Sequence, residues 1–148
     1  MNEGFGEQIK QIPDFFDQDK VMCPCLVEED QWTECLCVVN FALRRFEYYD
    51  WMCTNDDKNV AESNIKSVRD YLQKLRPTAD NEIAEWQVHI PVLGAHHQCR
   101  TRDYGVLMCA LADCLASYLE VGTIDSSQTF IQRFRLRMSR DIRIGLVQ

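Results

Sequence analysis

Cys35-Leu36-Cys37-Val38-Val39-Asn40-Phe41, followed closely by Phe46-Glu47-Tyr48-Tyr49-Asp50-Trp51, decides how this chain folds. The first stretch is a continuous apolar run of strand length, the pattern of a strand buried on both faces. The second is rich in aromatic residues, which suit a packed, pleated surface, and it reads as a further strand. Ala42-Leu43-Arg44-Arg45 lies between them as a turn. Upstream, Val21 to Val27 reads as an extended segment that Pro24 confines to a sheet edge or a strand start. An acidic turn, Glu28-Glu29-Asp30, separates it from the central run. Downstream, the polar Asn55-Asp56-Asp57-Lys58-Asn59 can cap a helix, and from Val60 the residues Ile65, Val68, Tyr71, Leu72 and Leu75 keep helical spacing until Arg76-Pro77. Trp86, Val88 and Ile90 alternate, which predicts a fourth strand over residues 85–90, closed by Pro91. After a loop from Gly94 to Asp103, the stretch from Tyr104 to Leu119 predicts a helix too apolar all round to be anything but central. A last helix is expected over about residues 127–141, with Phe130, Ile131, Phe134 and Met138 on one side. The order predicts an α+β domain, a small mixed sheet packed on one buried central helix.

The 148 residues suffice for one domain with a real core. A total of 16 basic against 23 acidic residues leaves a net charge of −7, which argues against coating nucleic acid or an anionic membrane with the whole surface. A hydrophobic share of 46% with 26% charged excludes a low-complexity or disordered chain. No apolar run approaches the roughly 20 residues of a spanning helix. The start, Met1 to Glu7, lacks the basic and apolar pattern of a secretion signal, so an intracellular domain is expected. Residues 1–20 form an acidic N-terminal segment, and residues 21–148 the domain proper.

Eight cysteines fall as Cys23-x-Cys25, Cys35-x-Cys37, Cys53, Cys99, Cys109 and Cys114. Structural zinc knuckles are usually Cys-x-x-Cys, whereas Cys-x-Cys in a strand merely puts both thiols on one face. The plainer reading is small buried thiols, with no metal site and no cofactor. Cys109 and Cys114 are expected as inert core thiols of the apolar helix.

Several fragments then stand in a suggestive order: Gln31-Trp32 ahead of the central strand, Tyr48-Tyr49-Asp50, Gln98, and Asp103-Tyr104-Gly105-Val106 five residues later at the start of the apolar helix. Phe134, Arg135 and Met138 follow in the final helix. Over about residues 21–142 this order resembles the SUMO-specific (ubiquitin-like-protein-specific) cysteine protease family. There a His-Trp supplies the general base, an Asp orients it, a Gln helps build the oxyanion hole, and Asp-Cys-Gly opens the central helix with the nucleophile. The resemblance implies a papain-like (adenain-like) fold with its N-terminal helical part reduced. It also implies a nuclear or nucleocytoplasmic location, and a SUMO or ubiquitin-like modifier as one potential partner.

Chemistry decides the activity within that frame. The family's nucleophile position looks like Tyr104, a bulky phenol with an ordinary pKa near 10 and poor reactivity toward amides. The base position looks like Gln31, whose amide neither accepts nor donates a proton at useful pH. Asp50 and Gln98 remain as accessory groups. The expectation is a catalytically inactive pseudoprotease that binds other proteins, with Trp32 and Tyr104 lining the cleft and Phe15 and Phe16 as apolar anchors. Two alternatives stand beside it. Cys99 with His96 or His97 would make a rearranged active protease, against the plainer reading of loop residues. Arg133, Arg137 and Arg140, on one face of the last helix, would make a nucleic-acid contact, against the plainer reading of a solvated face.

Overall fold

The computed structural model describes residues 15–26, 34–50, 58–75, 80–91, 93, 103–125 and 127–145. Side chains alternate along a strand, so β2 (Glu34–Asn40) sends Leu36 and Val38 to one side and Cys35, Cys37 and Val39 to the other. Both sets are fully or almost fully buried, as an uninterrupted apolar run requires. The sheet runs in the order β1 (Lys20–Leu26), β2, β3 (Arg45–Tyr49) and β4 (Gln87–His89). The first three strands are antiparallel, and β4 lies parallel to β3. Pro24 falls on β1, the outer strand, where a missing backbone N–H is tolerated.

Helices cover both faces of the sheet. On one side Leu36, Val38 and Tyr49 meet Leu107, Leu111 and Leu115 of α3 (Tyr104–Ala116) and Ile131 and Phe134 of α4 (Gln128–Gly145). On the other, Cys35, Cys37, Val39, Phe46 and Tyr48 meet Ala61, Ile65 and Leu72 of α1 (Lys58–Leu75) and Ile83 of α2 (Asp80–Ala84). The expected mixed α+β class is present, but the sheet does not rest on one helix alone. A strand apolar from Cys35 to Val39 needs cover on both sides, and the spaced apolar residues of α1 supply the second cover.

Two expectations need correction. The helix from Tyr104 is not buried all round, since Cys109 and Asp113 are exposed, so Cys109 is a surface thiol rather than a core one. It also stops at Ala116. Tyr118 takes φ 56°, its N–H bonds the Leu115 carbonyl, and the Leu119 N–H reaches the Cys114 carbonyl at 2.9 Å, a Schellman end that leaves Tyr118 and Leu119 exposed. The fourth strand shrinks to three residues with Gln87, Val88 and His89 all exposed. Trp86 folds back instead against the rings of Phe41 and Phe46, at 5.5 and 5.9 Å.

Candidate functional site

The start of α3 holds Asp103 and Tyr104, where a degenerate catalytic centre is expected. Tyr104, its first residue, is buried to 6% exposure. Asp103 precedes it, also buried, with helical backbone angles and no side-chain bond to the helix N–H groups. Its carboxylate instead accepts hydrogen bonds from Arg135 Nη2 at 2.7 Å and Gln128 Nε2 at 3.0 Å, both on α4. The helix start is therefore clamped to α4 by a buried carboxylate.

Asp50, the candidate orienting acid, is buried immediately after β3. Its side chain acts on a thiol. Burial, foremost, and then the charge and hydrogen bond of Asp50 push the Cys35 thiol far above its ordinary range, against an opposing hydrogen bond from Tyr48. The Tyr48 hydroxyl in turn accepts from Asn64 Nδ2 of α1 at 3.0 Å, and burial, first of all, raises its own pKa. A neutral thiol held against a carboxylate is a hydrogen-bond donor, not a nucleophile.

Burial disfavours the thiolate at further described cysteines as well. Burial, then Cys25 and Cys23, push Cys37 up to about 12. Cys23 and Cys25 are raised chiefly by burial as well. Cys114 is buried and its Sγ donates to the carbonyls of Leu119 and Glu120 at 3.4 and 3.3 Å. Among the described residues no group of three or more His, Cys, Asp or Glu side chains is placed to hold a metal ion. None of the described helices is long and apolar enough to cross a membrane.

Gln31, Trp32, His96, His97, Gln98 and Cys99 lie outside the described residues, as does the side chain of Phe15. Phe16 is half-buried and sits edge-on to Phe41 at 5.6 Å, at one end of the aromatic row through Trp86 to Phe46. Phe16 thus supports the core on one side and keeps part of its surface open. The arginine stripe of α4 is divided. Arg135 serves Asp103, and Arg137 pairs with Asp113 and lies over the Phe134 ring at 4.8 Å. Arg133, Arg140 and Arg143 remain exposed.

Sequence reasoning passed over Glu47. It is 3% exposed on the α3 side of the sheet, where its carboxylate accepts from Tyr49 Oη at 2.7 Å, Arg45 Nε at 2.8 Å and Asn40 Nδ2 at 3.0 Å. Burial alone raises this carboxyl, and the three donors together outweigh it, leaving Glu47 below the usual carboxylate range. The signal was present: a charge inside a strand buried on both sides needs donors, and Arg45 and Tyr49 share its strand face. Compared with models of protein families, with curated proteins and with solved structures, the chain matches none.

Proposed function

We propose that the chain is a pseudoprotease, a papain-like frame of the SUMO-protease kind emptied of its nucleophile and base and used as a protein-binding module. One observation carries this reading: the residue that opens α3, where a thiolate would gain from the helix N-terminus, is the buried phenol Tyr104. A neutral phenol is a poor nucleophile toward an amide carbonyl there. The clamp of Asp103 onto Arg135 and Gln128 supports it, because it fixes this helix start as structure. So do Cys35 and Cys37, whose buried thiols are held neutral. A scaffold kept without its chemistry retains surfaces as its use. A protein partner, a SUMO or ubiquitin-like modifier among the candidates, and a nuclear or nucleocytoplasmic site of action belong to the same proposal.

The test uses SUMO and ubiquitin-like modifiers carrying a C-terminal electrophile, incubated with the full chain and read by intact mass. The expected result is no covalent adduct. An adduct mapped to Cys99 would establish the rearranged-protease alternative in its place.

A further inference from the structure

The antiparallel register of β1 and β2 sets Cys23 opposite Cys37 and Cys25 opposite Cys35. All four belong to the sheet face that packs on α1. The result is a two-by-two array of thiols, with the β2 members buried and the β1 members half-buried on an outer strand. Directly opposite residues of an antiparallel pair have Cα atoms roughly 4.5–5.5 Å apart, within the roughly 4.4–6.8 Å that a disulfide bridges. The two Cys-x-Cys motifs put each pair on one face, but only the register decides which thiols meet.

The two facing pairs differ. Cys35 is committed, since its thiol hydrogen-bonds with Tyr48 and Asp50, and a bridge to it would deprive the buried Asp50 of a donor. The side chains acting on the Cys37 thiol are Cys25 and its facing partner Cys23. Cys25 stands diagonal to Cys37, a wider separation than the facing one. Cys23 faces it and is partly open to solvent.

We propose that Cys23 and Cys37 form a cross-strand dithiol site that low-molecular-weight disulfides, such as oxidised glutathione, convert to a disulfide. Cys23, as thiolate, attacks one sulfur of the small disulfide. That S–S bond breaks, a mixed disulfide forms, and the departing small thiolate takes up the proton that Cys23 released. Cys37, as thiolate, then attacks the Cys23 sulfur, closes the intramolecular bond and expels the second small thiolate, which is protonated in the same way. Two electrons pass from the cysteine pair to the small disulfide, leaving two small thiols. Burial, with a contribution from neighbouring thiols, holds both cysteines neutral, so the exchange is slow at neutral pH and quickens with alkalinity. The product ties outer strand β1 to central strand β2 across a loop of about 15 residues.

The experiment incubates the full chain with oxidised glutathione at pH 7, 8 and 9 and maps disulfides by mass spectrometry of unreduced peptides. The expected product is a dominant Cys23–Cys37 linkage, reversed by dithiothreitol, forming roughly tenfold faster per pH unit. C23S, on the half-buried outer strand, should abolish that linkage while the reduced variant keeps the wild-type circular dichroism. C109S should leave linkage and rate unchanged. Glutathione retained as mixed disulfides without closure, or a dominant linkage through any other cysteine, would overturn the proposal.

Discussion

Glu47 is a carboxylate inside a packed sheet face, tolerable there because Tyr49, Arg45 and Asn40 all donate to it. Its folded pKa lies below the ordinary value, so its contribution is fully present above the unfolded pKa near 4.3 and is lost as pH falls through the folded value. E47Q should therefore cost about 2 kcal/mol at pH 7, with the gap to wild type narrowing between pH 5 and pH 3. Urea denaturation at each pH reads this, and parallel curves would contradict it. Tyr104 poses the opposite case, a group whose interest is what it cannot do. Placing histidine and cysteine at the two compared positions, with Q31H and Y104C together, should not yield a robust protease. Catalysis needs the substrate in near-attack geometry, and replacing a buried tyrosine by cysteine leaves a void costing about 3 kcal/mol. Efficient cleavage of a SUMO precursor by the double variant would defeat this expectation.

At the scale of elements, the strand-length apolar run of β2 was legible because its burial on both sides leaves no alternation to misread. The second helical cover was not drawn from it, although α1 was visible in its spacing, because local pattern does not say which face a helix occupies. The short α2 was missed as well, its few residues leaving too little periodicity to detect. The exposed Cys109 was misjudged because α3 is apolar on faces that the core does not reach. Register was invisible altogether: nothing in Cys-x-Cys says that Cys23 will face Cys37. That Asp50 follows a strand and Tyr104 opens a helix was legible, whereas the engagement of Asp50 with Cys35 and of Asp103 with α4 depends on contacts between distant segments. The thiols of β2 also predict behaviour for the strand as a unit. Cys35 and Cys37 stay neutral when folded but ionise near their ordinary value when unfolded, so the stability they confer is complete below about pH 8.5 and falls as pH rises toward the folded values. Between pH 9 and 10 this pair should account for roughly 2 kcal/mol of lost stability. C35A/C37A should show a correspondingly shallower alkaline decline in urea denaturation, and an unchanged slope would contradict the assignment.

For the whole molecule, the proposed binding role demands a surface that the fold does not use. Phe16 is half-buried and its ring completes the row with Phe41 and Trp86, so F16S should lower stability by about 2 kcal/mol by unpacking that row. The outward side of α4 is an unused surface of that kind. Leu136 and Ile144 are 72% and 49% exposed there, among the exposed Arg133 and Arg140, whose spacing places all four on one side of the helix. Apolar side chains ringed by arginines suit the core and rim of a protein interface better than a solvated face. A pull-down from the native source followed by sedimentation should therefore recover a stable complex. L136D with I144D should leave folding within about 0.5 kcal/mol of wild type while weakening the complex at least tenfold, roughly the effect of removing one well-buried anchor. H96A with H97A should leave it intact. Recovery of a nucleic acid with a steep salt dependence would transfer the α4 arginines to the alternative reading. A soluble monomer with no partner recovered would remove the proposed binding role itself.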